Sequence, residues 1–362
     1  MKKTKIFLAL IVLVSMVLVG AFASGSQEEE TTAPASEEVS SQPFIAAMAT
    51  DVGGLGDKSF NDGAYGGIEM AATNLGVVDK VVESKQQTDY VPNLSGLAED
   101  GANMVFAVGF LMEQAVTEAA TNNPDTYFAG IDIAAGDASP ENFMGIVFNE
   151  HEAGYLAGVV AGLMTKDYAS ASDKLNDDNV IGVVLGMFIP AVEKYEVGYI
   201  AGAKSVNPDI EVLSATAGDF TDQAKGKELA LAMIEQGADI VFHAAGLTGL
   251  GAINACSEEG CLAIGVDVDQ NAVAPDTVLT SAEKKIVQAT YLAIESAVNG
   301  TFQGGTKVFG INDDAVGISD FHSFDSVVPQ EVKDAVADAV AKMKAGEIAV
   351  PTTREELAAM GY

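Results

Sequence analysis

The chain has 362 residues, of which 48% are hydrophobic and 37 are glycines, a composition typical of a globular protein with helices and strands. Its 19 Lys and Arg residues against 52 Asp and Glu residues give a net charge of −33. A surface this acidic repels nucleic acid and anionic lipid, and it disfavours a strongly anionic substrate unless a local basic pocket exists.

Residues 1–23 combine a basic start, an apolar run from Ile6 to Ala23 and the small-residue pattern Ala21-Phe22-Ala23. This pattern predicts a cleaved secretory signal peptide and therefore an exported protein. An uncleaved membrane anchor is the alternative, because the apolar run of 18 residues just reaches the length that can span a bilayer. Residues 24–42 are rich in Ser, Glu and Thr without aromatic residues, which predicts a flexible acidic linker.

From Pro43 onward, short apolar runs without polar alternation are typical of strands that are buried on both faces of a parallel sheet. Amphipathic helix patterns separate them, so the order predicts an α/β protein with doubly wound parallel sheets. About 320 residues suit two such sheets better than one. The nine runs are FIAAMAT, MVFAVG, YFAGIDI, MGIVF, VIGVVLG, IEVLSA, DIVFHAA, LAIGVD and TVLTS.

Ligands of doubly wound sheets bind beyond the carboxyl ends of the strands, so the residues that follow each run are candidate ligand contacts. Acids, aromatic residues and one lysine recur there. They are Asp51 with the glycine-rich loop up to Asn61, Phe110, Asp132, Phe188, Ile189, Pro190, Asp219, Phe220, Gly246, Asp267, Asp269 and Lys284.

The loop TDVGGLGDKSFND, residues 50–62, admits several interpretations. As a dinucleotide fingerprint it lacks the third glycine, since Ser59 stands there. As the calcium site of a nucleoside hydrolase it lacks an acid two residues before Asp51. Phe60, and Phe220 in a similar loop, are not turn formers. Each ring therefore either caps the local core or stacks on a flat ligand.

Other catalytic or metal chemistry finds little support in the sequence. It contains no G-x-S-x-G nucleophile motif, and His151 and His243 fit packing roles better than catalysis. Cys256 and Cys261 are either a disulfide or two small buried residues at a helix-to-strand turn. Together with three scattered histidines they do not supply a closed zinc site.

Five blocks in chain order carry a resemblance to a known family: TDVGGLGDKSFNDGAYGG, GIDIA, FNEHEAGYLAG, GDFTDQAKGKELALAMIEQGADIVFHAAGLTGLGA and AIGVDVDQ followed by VLTSAEKK. They resemble the basic membrane protein family, the purine-nucleoside-receptor type of ABC transporter substrate-binding protein. The resemblance runs from about Pro43 to the C-terminus. It implies the type I periplasmic-binding-protein fold, in which two α/β lobes joined by three crossover strands close on a ligand.

The resemblance assigns ligand contacts residue by residue. It implies a stacking role for Phe60, a ribose contact for Asp267, and a second-lobe aromatic at Phe220, with Phe188 or Tyr195 as alternatives. The full set is Asp51, Phe60, Asn61, Asp132, Phe220, Gly246, Asp267 and Lys284. The expected lobes are residues 43–148 with 280–312, and residues 149–279 with 313–362.

The implied function is the capture of purine nucleosides, namely inosine, guanosine or adenosine, for an ABC importer whose permease subunits are the partners. We expect a monomer without a cofactor or catalytic metal. Many family members carry a lipid-anchoring cysteine at the cleavage site, but here Ser24 stands near that place and no cysteine precedes Cys256. The alternatives are a nucleoside-cleaving hydrolase and a sensor that signals to a membrane partner.

Overall fold

The computed structural model describes residues 42–362, and Pro43–Tyr362 form one compact unit. The predicted signal segment, residues 1–23, and all but the last residue of the predicted linker lie outside the described residues. None of the helices within residues 42–362 is long and apolar enough to cross a membrane.

Twelve strands are found in the described part of the chain. They are β1 (Ile45–Thr50), β2 (Val78–Glu83), β3 (Met104–Val108), β4 (Tyr127–Ile131), β5 (Phe143–Phe148), β6 (Val180–Leu185), β7 (Glu211–Thr216), β8 (Ala238–Ala244), β9 (Leu262–Asp267), β10 (Val278–Lys284), β11 (Gly305–Phe309) and β12 (Val316–Ile318).

Ten α-helices within the same residues cover these strands. They are α1 (Phe60–Leu75), α2 (Tyr90–Glu99), α3 (Glu113–Asn122), α4 (Glu150–Lys166), α5 (Pro190–Val206), α6 (Gln223–Ile234), α7 (Gly246–Glu259), α8 (Ile286–Val298), α9 (Gln330–Lys344) and α10 (Arg354–Ala359).

The strands form two six-stranded sheets, each with helices packed against it, as the sequence predicts. The first sheet has the order β11-β5-β4-β3-β1-β2 and is entirely parallel. The second has the order β12-β10-β9-β8-β6-β7 and is parallel except at the β10–β12 pair. We call the layers built on these sheets the first and second lobes. Two such sheets are the architecture that the resemblance implies.

All nine apolar runs become strands, and the three further strands lie at sheet edges. β2 and β11 are largely exposed, and β12 is only three residues long. Edge strands such as VDKVVE carry charged residues and have no continuous apolar run, so the pattern of a doubly buried strand does not detect them.

The chain passes between the lobes three times. The passages lie at Asn149 between β5 and α4, at Lys285 between β10 and α8, and at residues 310–315 between β11 and β12. One sequence-based boundary is wrong: residues 280–284, expected in the first lobe, pair with β9 and β12 in the second sheet. The apolar run TVLTS marks where β10 begins but not where the chain leaves its sheet.

Helices α4 and α5 of the second lobe meet almost backbone to backbone. Gly154 and Gly158 of α4 face Gly198 and Gly202 of α5. A Cβ added at Gly158 would lie 2.1 Å from the Tyr199 carbonyl oxygen, a distance that real Cβ atoms do not show. Only glycine permits this close approach, and the pair packs without intervening side chains.

The two cysteines are buried and free. Cys256 lies near the end of α7, and Cys261 directly precedes β9. The structure therefore has the second of the two arrangements that the sequence leaves open, two small buried residues at a helix-to-strand turn.

Candidate functional site

A cavity lies between the two lobes at the carboxyl ends of their strands. It encloses about 570 Å³ of empty space, a figure that includes open solvent at its mouth. All eight residues of the sequence-derived set line it. The lining residues are Asp51, Gly53, Asp57, Phe60, Asn61, Gly109, Phe110, Asp132, Ile189, Ala191, Val192, Tyr195, Phe220, Ala244, Ala245, Gly246, Leu247, Val266, Asp267 and Lys284.

Two buried aspartates organise the β1–α1 loop in the first lobe. The carboxylate of Asp57 accepts hydrogen bonds from the backbone N–H groups of Ser59, Asn61 and Asp62 at 3.0, 2.8 and 3.1 Å. These groups open α1 and have no partners within the helix, so Asp57 satisfies them and its charge complements the helix dipole. The capped turn fixes Phe60 and Asn61 at the cavity wall.

Asp51, at the end of β1, is held by neighbours from its own loop. Its Oδ1 accepts from the Gly53 N–H at 2.9 Å and from Asn61 Nδ2 at 3.3 Å. Burial raises the pKa of Asp51 from 3.8 to about 6, although these two hydrogen bonds oppose the shift. The loop therefore presents a desolvated carboxylate to the cavity.

Lys284 lies where the two lobes meet. Its Nζ donates to Asp132 Oδ2 of the first lobe at 2.6 Å, and it lies 3.5 Å from Asp267 Oδ1 and 3.6 Å from Glu150 Oε1. Burial alone would lower the pKa of Lys284, but the three carboxylates outweigh it and raise that pKa above its ordinary value. The side chain is only 2% exposed, so this cation is fixed within the wall.

Asp132 and Asp267 occupy equivalent places, each at the end of the fourth strand of its own lobe. Both have positive φ, 59° and 67°, a conformation that is uncommon outside glycine and that Asp tolerates better than most residues. Burial raises the pKa of each carboxyl group, with the Lys284 ammonium opposing the shift. The two strained turns aim carboxylates at the same ammonium from opposite sides.

Four aromatic residues line the cavity, and Phe110, which follows β3, is one of them. Phe60 comes from the first lobe and has Lys284 Nζ over its ring at 4.7 Å from the centroid. Phe220 and Tyr195 come from the second lobe, and the Tyr195 hydroxyl donates to Asp267 Oδ1 at 3.3 Å. Of the two alternatives to Phe220, Tyr195 lines the cavity, whereas Phe188 is 54% exposed and packs under Arg354.

The site combines hydrogen-bond acceptors with apolar surface. Asn61 Oδ1 and Asp132 Oδ1 are buried acceptors that have no hydrogen-bond partner within residues 42–362. The facing wall is apolar, with Ile189, Val192 and Leu247 beside the rings. Such a wall suits a flat, largely apolar group, and the acceptors suit a group that donates hydrogen bonds.

Some residues of the site are not predicted from the sequence. Asp57 acts through its cap on α1, and Glu150 at the start of α4 is 1% exposed and pairs with Lys194 Nζ at 3.0 Å. A signal for Glu150 exists, since it follows the apolar run of β5 by two residues. Val192 and Leu247 give no signal of their own in the sequence, whereas Ile189 is among the strand-end candidates and does line the cavity.

The histidines do not belong to the cavity wall. His243 is fully buried in β8 with Nε2 2.9 Å from Gln270 Oε1, and burial lowers its pKa to about 4. Burial also lowers the pKa of His151 to about 4. Within the described residues, no group of three or more His, Cys, Asp or Glu side chains is placed to hold a metal ion.

Comparison with known proteins gives consistent matches over almost the whole chain. The sequence model of the family described as ABC transporter substrate-binding protein PnrA-like matches residues 44–354. The CD4+ T-cell-stimulating antigen of Listeria innocua is 32% identical over 97% of this chain and 99% of its own length.

Two further proteins are similar. One, named ABC transporter nucleoside-binding protein BmpA, from Lactococcus lactis subsp. cremoris, is 33% identical over 85% of this chain and 89% of its own length. The other is the crystal structure of an ABC transporter system solute-binding protein from Aeropyrum pernix, which superposes with a TM-score of 0.79 at 27% identity. That match covers 88% of this chain and 96% of the other.

Proposed function

Because the chain belongs to the PnrA-like family of extracytoplasmic ABC transporter substrate-binding proteins, we propose that its inter-lobe cavity captures purine nucleosides for import. Inosine, guanosine and adenosine are the candidate ligands. The observation that carries the proposal is the meeting of Phe60 with Asp132, Asp267 and Lys284 in one buried cavity. A relative named as nucleoside-binding adds support.

The base would stack between the lobes. Phe60 offers a ring from the first lobe, and Phe220 or Tyr195 offers a second ring from the other lobe. Stacking on an aromatic side chain contributes about 1–3 kcal/mol per base in nucleic-acid sites, which is enough to orient a purine. Asn61 Oδ1, which has no hydrogen-bond partner among the described residues, would accept a hydrogen bond from the polar edge of the base.

The ribose would lie against the buried charges. Its hydroxyl groups donate well to carboxylates, and Asp51, Asp132 and Asp267 are all within the wall. Lys284 would donate to a sugar oxygen while it keeps the neighbouring carboxylates charged. Binding needs no bond to break, so we expect the nucleoside to leave unchanged.

The charge of the wall selects an uncharged ligand. Asp51, Asp57, Asp132 and Asp267 line the cavity together with Lys284. A phosphate group placed there would meet like charges, which cost several kcal/mol in a desolvated interface. Nucleoside monophosphates are therefore expected to bind at least about a hundredfold more weakly than nucleosides, taking 1.4 kcal/mol per decade.

Export and assembly complete the proposal. Residues 1–23 would direct the chain out of the cytoplasm, and the mature protein would act as a monomer that delivers its ligand to permease subunits. This placement follows from the family and from the basic, then apolar, start of the sequence.

Calorimetric titration of the mature protein tests the ligand. Inosine, guanosine and adenosine are compared with hypoxanthine, ribose and inosine monophosphate at one pH and one salt concentration. Binding of nucleosides well above base or sugar supports the proposal, and equal affinity for inosine and its monophosphate contradicts it. Chromatography of the incubated mixture detects free base, whose repeated release would mean that the protein is a hydrolase.

A further inference from the structure

Outside the cavity, one buried side chain bridges the two lobes directly. Gln270 lies in the loop after β9 of the second lobe and is 1% exposed. Its Nε2 donates to the Lys58 carbonyl oxygen of the β1–α1 loop at 3.1 Å. We infer that this hydrogen bond is a latch that stabilises the closed arrangement of the lobes without touching the ligand.

The surrounding donors fix the orientation of the Gln270 amide. The Val266 N–H can only donate, and it lies 2.8 Å from Gln270 Oε1. The amide oxygen must therefore face Val266, so the NH₂ group faces the Lys58 carbonyl, which can only accept. His243 Nε2, 2.9 Å from the same oxygen, must then carry the proton of its ring. The latch is thus anchored in the core strand β8.

Two glycines make room for this arrangement. A Cβ at Gly265 would lie 2.8 Å from Gln270 Oε1, and a Cβ at Gly249 would lie 1.9 Å from His243 Nδ1. Both distances are shorter than real Cβ contacts. The Gln270 N–H also donates to Ser281 Oγ at 3.0 Å, so its backbone and side chain are both held in the second lobe.

The first lobe presents a matching surface. Lys58 has a positive φ of 53°, a left-handed conformation that is rare for lysine and that turns the backbone at the position of the accepting carbonyl. Next to it, Val268 packs so close to α1 that a Cβ at Gly63 would lie 3.1 Å from Val268 Cγ1. The two loops therefore fit together through a hydrogen bond and a close apolar contact.

Gln270 does not line the inter-lobe cavity but an adjoining groove with Lys58, Asp62 and Gly63. Its effect on binding is therefore indirect, because it changes the equilibrium between open and closed lobes rather than a ligand contact. The latch deepens the proposed function only through the rate of ligand release. Its action on the lobes themselves holds whatever the ligand is.

Pulsed EPR on the ligand-free mature protein measures the latch by itself. Spin labels go at Lys85→Cys in the first lobe and Glu228→Cys in the second, whose side chains are 75% and 70% exposed. Cys256 and Cys261 are buried, and the labelling stoichiometry checks that they stay unmodified. The short and long inter-lobe distances then give the closed-to-open ratio directly.

The test variant is Gln270→Glu, which keeps an acceptor for Val266 and His243 but replaces the donor to Lys58. The matched control is Asn271→Asp, the same amide-to-acid change one residue later, whose side chain bonds Val278 within the second lobe. We expect Gln270→Glu to lower the closed-to-open ratio about three- to tenfold, the worth of one hydrogen bond. Asn271→Asp should leave the ratio at the wild-type value.

Gln270→Met guards against an effect of the buried charge, and thermal unfolding checks that each variant is folded. Both Gln270 variants should shift the ratio in the same direction. Equal ratios in Gln270→Met and wild type, including a wild type that is fully open, would overturn the latch. Inosine titration is a separate arm: failure of inosine to bind contradicts the proposed function alone, and an unchanged inter-lobe ratio contradicts the latch alone.

Discussion

The two lobes share one strand order but differ in the chemistry at the carboxyl ends of their strands. In both, an edge strand that follows the crossovers lies next to the fifth strand of the lobe, and an aspartate with positive φ ends the fourth. After the first strand the lobes diverge. The first lobe has Asp51, Asp57 and Asn61 there, and the second has Ile189 and Val192.

Two lobes with the same topology therefore present different surfaces to the cavity, one polar and one apolar. Burial of the polar loop of the first lobe is unfavourable, and the pKa of Asp51, which burial raises to about 6, reflects this. The apolar wall of the second lobe gains stability when it is covered. A ligand with a polar side and a flat apolar face would satisfy both walls at once.

The largest effect is expected where the lobes meet. Lys284→Met leaves Asp132, Asp267 and Glu150 buried without their common cation, and breaking a buried pair costs about 3–5 kcal/mol. Urea unfolding at pH 7 should show this loss, and the loss should shrink at pH 5 because Asp132 and Asp267, whose pKa values burial raises, take up protons.

The neighbouring residue supplies the control for that experiment. Lys285 pairs with Glu283 at 3.6 Å, and its side chain is 55% exposed. Lys285→Met should change the free energy of unfolding by no more than about 1 kcal/mol. Equal losses of unfolding free energy for the two variants would mean that Lys284 contributes no more to stability than an exposed ion pair does.

The first lobe alone is tested by Asp51→Asn. The native pKa of Asp51 is about 6 against 3.8, so the native state holds more protons than the unfolded state between these values. The stabilising contribution of protonated Asp51 is fully present below pH 3.8 and is lost as the pH rises through about 6. At pH 7 the Asn variant should be more stable than wild type by on the order of 2 kcal/mol.

The measurement is the free energy of unfolding from pH 4 to pH 7, compared between wild type and variant. The advantage of Asp51→Asn should fade as the pH approaches 4, while its affinity for inosine falls at every pH. The exposed Asp137→Asn should stay within about 0.5 kcal/mol of wild type throughout. A pH-independent difference for Asp51→Asn would contradict the assigned burial cost.

The aromatic part of the first wall is tested by Phe60→Ala. Loss of the ring should weaken inosine binding about tenfold or more, from a stacking contribution of roughly 1–3 kcal/mol. Lys58→Ala, in the same loop, removes a side chain that is 64% exposed and 3.5 Å from Asp62. Lys58→Ala should weaken the free energy of inosine binding by only about 0–1 kcal/mol. A greater loss for Lys58→Ala would favour an anionic ligand.

The second wall is tested by Gly186→Ala, with the smallest expected effect. A Cβ there would lie 2.3 Å from the Phe220 ring, so the ring must move. We expect inosine affinity to fall about threefold, less than for Phe60→Ala, because the half-buried ring can relax outward. Gly96→Ala, where a Cβ meets nothing within 4 Å, should leave the affinity unchanged. An equal effect of both would show that Phe220 does not contact the ligand.

The interior strands of the two sheets can be predicted from the sequence better than the edge strands. Every strand that lies between two others in its sheet contains a continuous apolar run, so the sequence itself indicates burial on both faces. Asp79 and Lys80 in β2 and Lys307 in β11 interrupt that pattern at exposed edges, where only pairing with a neighbour makes the segment a strand. The boundary near residue 280 fails for a related reason, since β10 continues into the polar residues Glu283 and Lys284.

For the site, the strand-end rule brings together residues that are far apart in the chain. It does not identify residues whose role depends on hydrogen bonds to particular backbone groups. Asp57 acts by accepting hydrogen bonds from three backbone N–H groups, and Gln270 acts by donating one to a carbonyl oxygen 212 positions away. The residue type alone predicts neither interaction. Tyr195 and Phe188 are both aromatic residues near the same strand, and only the course of α5 decides which faces the cavity.

The close glycine contact between α4 and α5 has a mechanical consequence. Glu150 begins α4 and Tyr195 lies on α5, so this helix pair carries two groups next to Lys284, and Lys194 of α5 pairs with Glu150. At Gly158 and Gly202 the two backbones lie too close for a side chain to fit between them. We therefore expect α4 and α5 to move as one rigid unit, so that any change in the angle between the lobes occurs at the three connecting segments.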